Sequence, residues 1–146
     1  MELTMSDEQV LPFQQKIDKP WGYELILNTP SSPITAKILH INSGCQFSLQ
    51  YHEIKEENLT LVSGEAKIIL GGVKEIGDLR EETMEKYKGY FIPKGLAHRC
   101  RAITDCDIFE SSTLELGTTV RLQDDYGRKD ETEEERLKNR TMNHEL

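Results

Sequence analysis

The chain has 146 residues, 36% of them hydrophobic and 30% charged, and carries 18 Lys and Arg against 26 Asp and Glu for a net charge of −8. That length suits one domain and leaves little room for a second, and the apolar share is too high for a chain disordered throughout. The acidic balance excludes a general nucleic-acid binder, because phosphate backbones are held by clustered Lys and Arg.

Residues 1–18 hold few strand formers and no basic start leading into an apolar stretch. They predict a segment that wraps the core or stays loose, with no signal peptide. Short runs rich in Ile, Leu, Val, Tyr, Phe and Thr then recur at 23–27, 34–41, 46–51, 59–62, 66–70, 90–92, 98–103, 107–111 and 118–122. Turn signals separate them: Asn42-Ser43-Gly44, Ser63-Gly64, Gly71-Gly72, Pro93-Lys94-Gly95 and Thr104-Asp105. The pattern predicts an all-β sandwich or barrel, with Gly71-Gly72 as a tight hairpin turn. Residues 129–146 are dense in charge and nearly free of apolar side chains, so they predict a solvated helix or frayed tail, with Glu131 to Glu135 on a solvated face. No apolar run approaches the roughly 20 residues that cross a bilayer, so no membrane partner is expected. Cys45, Cys100 and Cys106 are odd in number and lack short paired spacings, which suits reduced thiols in a cytoplasmic protein.

Two stretches carry chemistry. Ser48 to Gly64 contains Gln50, His52 and Glu57, spaced Gln-x-His-x4-Glu-x6-Gly. Strand alternation puts Ser48, Gln50 and His52 on one face. Glu57, Leu59 and Leu61 share a face of the next strand. If both faces are interior, Gln50, His52 and Glu57 converge from two antiparallel neighbours. The second stretch runs from Gly89 to His98, where a strand meets a Pro93-x-Gly95 turn and His98 opens the next strand. Two imidazoles, a carboxylate and an amide oxygen make a first shell for a divalent cation such as zinc, manganese, iron or nickel. With one formal negative charge among four ligands, the bound cation would keep net positive charge and favour an oxyanion beside it. The alternative for each histidine is a packed core residue.

Pro93-Lys94-Gly95-Leu96-Ala97-His98, together with the first stretch, resembles the two motifs of the cupin superfamily, with Gln50 where many cupins have histidine. That resemblance implies a double-stranded β-barrel, or jelly roll, followed by a polar tail. Lys19-Pro20-Trp21-Gly22-Tyr23-Glu24, Ser48-Leu49-Gln50-Tyr51-His52 and Val120-Arg121-Leu122-Gln123-Asp124-Asp125-Tyr126-Gly127-Arg128 narrow it. They resemble the cupin domain of type II mannose-6-phosphate isomerases over residues 19–128. Segment 1–18 would then precede the domain and tail 129–146 would follow it. In place of the several histidines usual after the family's Gln-Met, only His52 stands here, followed by Glu53 and Ile54.

Three further side chains are candidates for catalysis. Lys37 has the parity of Leu39 and Ile41, so it points inward, where it either holds a phosphate, carries a depressed pKa suited to proton transfer, or sits at the barrel mouth. Glu110 shares a face with Ile108 and is either a base with a raised pKa or an ion-pair partner. Arg121 either holds phosphate, as Lys94 or Arg101 could, or pairs with Asp124 or Asp125. His40 should face outward, and Trp21 should pack at the barrel's edge. The resemblance implies a metal-dependent aldose–ketose isomerase acting on a sugar phosphate. The alternatives are a non-catalytic sugar or nucleotide-sugar binder and an iron-dependent oxygenase. Strand edges in so small a barrel suit a homodimer.

Overall fold

A computed structural model describes residues 14–144. Alternation builds its sheets: in β3 the inward Thr35, Lys37, Leu39 and Ile41 are buried, and the residues between them are half-buried. In chain order the strands are β1 (Gln15–Lys19), β2 (Gly22–Ile26), β3 (Thr35–Ile41), β4 (Leu49–His52), β5 (Glu57–Ser63) and β6 (Ala66–Val73). They continue with β7 (Arg80–Thr83), β8 (Gly89–Ile92), β9 (Leu96–Ala102), β10 (Cys106–Ser112) and β11 (Thr119–Gln123), and helix α1 (Glu133–His144) follows. One sheet runs β1-β2-β3-β10-β5-β8 and the other β11-β4-β9-β6-β7. The strand pairs are antiparallel, and from β3 onward the chain changes sheet at nearly every connection.

The barrel interior has two halves. Leu39, Leu59, Leu61, Ile68, Cys100 and Ile108 belong to one buried apolar cluster. Burial of such a side chain contributes about 1.5–3 kcal/mol. One inward step along each strand, the interior turns polar. Leu39 gives way to Lys37, Ile108 to Glu110, Leu59 to Glu57 and Cys100 to His98, and all four polar residues are buried. Register keeps this layer level, since Glu110 pairs with Lys37 on one side and Ser112 pairs with Glu57 on the other.

Each run expected as a strand overlaps one that is present. Two local expectations are corrected. β1 occupies residues 15–19, taking in the end of the 1–18 segment expected to wrap the core or stay loose, while residues 1–13 lie outside the described part. Gly71-Gly72 is not the turn: both lie within β6, and the chain turns beyond them, with Gly72 N–H donating to the carbonyls of Glu75 and Ile76. The turn at Gly64 is real: φ is +80° there, and an added Cβ would strike the backbone of Asp105 and Cys106.

The tail is helical and docked. Thr132 Oγ1 accepts from Glu135 N–H at 3.1 Å, with three glutamates in the first turn of α1. Both features stabilise a helix start. Arg136 is buried, and Gln15 Nε2 donates to the carbonyl of Arg140 at 2.6 Å. Thr119 and Glu131 exchange backbone hydrogen bonds, so Glu131 is not on a solvated face. No helix among the described residues is long and apolar enough to cross a membrane.

Candidate metal centre

His52 ends β4, Glu57 opens β5 and His98 lies in β9. β4 and β9 are neighbours, with Gln50 opposite His98. β5 belongs to the other sheet, so Glu57 faces the two histidines across the barrel. The expected convergence from adjacent strands is therefore corrected, because the 53–56 link carries the chain between sheets. All three side chains are buried, and one ligand atom from each lies within 4.8 Å of the others. Glu57 Oε1 is 3.2 Å from His52 Nε2 and 2.8 Å from His98 Nε2.

The His98 tautomer follows from its outer hydrogen bond. His98 Nδ1 lies 2.9 Å from the carbonyl of Leu96 and must donate to it. In a neutral ring Nε2 then carries the lone pair, and it faces a carboxylate. Their 2.8 Å approach lacks hydrogen-bond angles, and both His98 Nε2 and Glu57 Oε2 are buried without a hydrogen-bond partner. His52 Nδ1 is 3.0 Å from Thr119 Oγ1, which accepts from Arg136 Nη2 at 3.3 Å, and His52 Nε2 is hydrogen-bonded to Glu57 Oε1 at 3.2 Å. Burial, with the Lys55 charge, pulls the His52 pKa down to about 4, so this ring is neutral near pH 7. Burial pushes the Glu57 pKa up, but Lys55 and His52 hold it well below the usual carboxylate value. One ring nitrogen from each histidine and a carboxylate thus converge, with His98 Nε2 and Glu57 Oε2 left without hydrogen-bond partners. An unsatisfied buried polar group costs about 1–3 kcal/mol. A divalent cation satisfies this donor set, and the set fits one. Gln50 lines the same cavity, with its Oε1 accepting from Ser48 Oγ at 2.6 Å.

Beyond the cluster the cavity, of about 50 Å³, is lined by buried charges. Lys55 Nζ bridges Glu57 Oε2 at 3.5 Å and Glu110 Oε2 at 3.1 Å. Lys37 Nζ reaches Glu115 at 2.8 Å, Glu24 at 3.5 Å and Glu110 at 4.0 Å. Burial and then the Glu57 charge push the Glu110 pKa up to about 7, against the pull of Lys37 and Lys55. Burial works against the Lys37 ammonium, but Glu110, Glu115 and Glu24 outweigh it and raise the pKa. Lys37 is therefore a fixed cation and not an amine with a depressed pKa.

No protein-family model and no curated protein matches the sequence. Solved structures match the fold. An oxalate decarboxylase of Bacillus subtilis superposes with a TM-score of 0.61 at 16% identity, over 73% of this chain and 30% of its own. KdgF from Halomonas sp. gives 0.57 at 16% identity, over 67% of this chain and 85% of its own. The capsular polysaccharide assembling protein CapF of Staphylococcus aureus gives 0.56 at 16% identity, over 84% and 32%. The chain has the cupin fold. It spans less than a third of the decarboxylase and of CapF, and most of KdgF.

Within this cupin barrel the other expected side chains divide. Lys37, Glu110 and Arg121 line the cavity; Lys94 and Arg101 do not. Arg101 pairs with Glu81 at 3.0 Å. Arg121 is not paired with Asp124 or Asp125: it donates to the carbonyl of Lys129 at 2.6 Å, lies 3.9 Å from Glu131 and keeps a buried Nε without a partner. Asp124 pairs with Arg128 at 2.9 Å. His40 is half-buried, bonds Asp107 at 2.8 Å and stacks on Tyr23. Trp21 is core, tilted against Phe47, and also lines the cavity. Sequence reasoning missed Lys55, Glu115, Thr119 and Arg136. Lys55 had a signal, its place between two expected ligands; the others come from a loop, the far strand and the tail.

Proposed function

We propose that this cupin is a metal-dependent isomerase interconverting an aldose and a ketose sugar phosphate of the mannose-6-phosphate class. One observation carries the reading: Lys55 bridges Glu57 of the His52–Glu57–His98 cluster to Glu110, a carboxyl in the same cavity wall whose pKa is raised to about 7. His52, Glu57 and His98, with Gln50 beside them, would hold zinc, manganese, iron or nickel. When bound, such a cation supplies Lewis acidity toward adjacent substrate oxygens. Glu110 would take a proton from the carbon beside the carbonyl and return it to the neighbouring carbon. A carboxyl with a pKa near neutrality does both at working pH. Arg121 lies at the cavity wall, where it would orient the substrate. The motif resemblance and the sugar-related name of CapF support a carbohydrate substrate. Purified, metal-loaded protein is expected to interconvert mannose-6-phosphate and fructose-6-phosphate. No turnover across several aldose phosphates and metals contradicts the reading.

The second reading is a cupin that binds a sugar or nucleotide sugar without transforming it. The single His52, where the resembled family carries several histidines, favours it, and a ligand-induced rise in melting temperature without turnover would select it. Under either reading the partner is a small molecule, in a cytoplasmic protein whose exposed sheet edges suit a homodimer.

Arg136 is a positioning residue in this scheme. It donates to Thr119 Oγ1, which faces His52 Nδ1. Outer-shell partners of this kind orient metal-bound histidines. Replacing Arg136 by Met is expected to weaken metal affinity by about 10- to 100-fold, read by competition with a chromophoric chelator. Unchanged affinity in a folded variant would show that Thr119 alone fixes the ring.

A further inference from the structure

The 113–118 link between β10 and β11 sends one side chain, Glu115, into the barrel mouth. Its neighbours Leu114 and Leu116 stay exposed. Four cations converge on this carboxylate. Oε2 is 2.8 Å from Lys37 Nζ, 3.9 Å from Arg136 Nε and 4.0 Å from Lys55 Nζ, and Oε1 is 2.8 Å from Arg140 Nη2. Two of these cations are buried lysines from the barrel and two are arginines from α1.

Three of the cations have other carboxylates. Lys37 keeps Glu24, Lys55 keeps Glu110, and Arg136 keeps Glu131 at 3.0 Å. Withdrawing Glu115 would thus leave a cationic pocket that is ordered and held open by its remaining partners. The contacts it makes now, two oxygens each with a cation at 2.8 Å and further cations behind, are those that Lys and Arg give a phosphoryl group. The space left beside it, about 50 Å³, admits little more than a water molecule. A sugar phosphate can enter only if a side chain at the mouth moves. The backbone there is gripped: Arg136 donates to the carbonyls of Glu115 at 2.9 Å and Gly117 at 3.2 Å. With the backbone fixed, only the Glu115 side chain can turn outward, by exchanging its ion pairs for those of an entering anion.

We propose that Lys37, Lys55, Arg136 and Arg140 form an anion subsite for the phosphoryl group of a sugar phosphate, and that the Glu115 carboxylate occupies it until the ligand displaces it. The choice of ligand rests on the sugar-phosphate reading; the subsite itself rests on the four ion pairs. An internal competitor lowers apparent affinity by the fraction of time it fills the site.

Calorimetric titration with inorganic phosphate, mannose-6-phosphate and mannose tests this without turnover. Both phosphates should bind and mannose should bind more weakly. Glu115→Gln should tighten phosphate binding by about tenfold, and adding Arg140→Met to that variant should cancel most of the gain. Equal or weaker phosphate binding by E115Q overturns the proposal, as does mannose binding as tightly as its phosphate. Should E115Q not fold, wild-type protein decides: phosphate should shift the NMR signals of the Glu115 carboxylate and the Arg140 guanidinium together, and unshifted signals under bound phosphate overturn it. An inactive protein that passes these tests fails only the isomerase reading. An active one that fails them loses only the subsite.

Discussion

Glu110→Gln is expected to lower kcat for aldose–ketose interconversion by about a thousandfold, within the range that a positioned acid–base group contributes. The variant keeps the side chain's shape and its hydrogen-bond acceptance from Lys55 at 3.1 Å and Ser112 at 3.2 Å, and it removes the titrating proton. The wild-type pH profile carries the same signature. The pKa of Glu110 is raised to about 7, so the carboxylate that accepts a proton dominates only above that pH. The kcat/KM of the metal-loaded protein should therefore be level above the Glu110 pKa and fall as pH drops through it, losing about tenfold per unit further down. Part of the upward shift comes from the Glu57 charge. A cation on Glu57 offsets that repulsion, so the loaded protein should titrate lower than the metal-free protein. A Glu110→Gln variant that retains most of its turnover removes Glu110 from the mechanism.

Metal removal should have the next largest effect, on stability. His98 Nε2 and Glu57 Oε2 are buried without hydrogen-bond partners, and both rings face the Glu57 carboxylate. A cation present at a thousandfold over its Kd stabilises the fold by about 4 kcal/mol. For a chain of this size that is a Tm shift of about 8–16 °C. A chelator should lower the wild-type Tm by that amount and leave His98→Ala unmoved, since the variant lacks one of the three donors. A wild-type Tm that ignores the chelator would mean that the cluster holds together without a cation.

The barrel was legible because its strands alternate. β3 and β10 show the inward parity in sequence, and that parity placed Lys37 and Glu110 on the interior before any coordinate did. β1 and β7 were not legible. β1 buries only Ile17, and β7 is an exposed edge strand, Arg-Glu-Glu-Thr, with no apolar face to read. Gly71-Gly72 reads as a turn, yet β6 bulges there, and an added Cβ at Gly71 would meet the backbone of Ile76 and the Ala97 side chain. Local spacing named His52, Glu57 and His98 but could not say that Glu57 approaches from the opposite sheet. That depends on the four-residue link between them, which has no hydrophobic pattern. Glu115, Arg136 and Arg140 were invisible for a different reason. Charges in a loop and a polar tail look solvated until their partners, far along the chain, are known. The tail's docking is settled by ion pairs spanning 21 to 25 residues to Glu115, and by Gln15 at the other end of the described chain.

The central claim is that His52, Glu57 and His98 hold one cation inside the barrel. Elemental analysis of protein purified without added metal tests it most directly. About one zinc, manganese, iron or nickel per chain is expected in the wild type and close to none in folded His52→Ala and His98→Ala. Wild-type protein free of metal even after exposure to all four ions, or variants that retain the full complement, would contradict it.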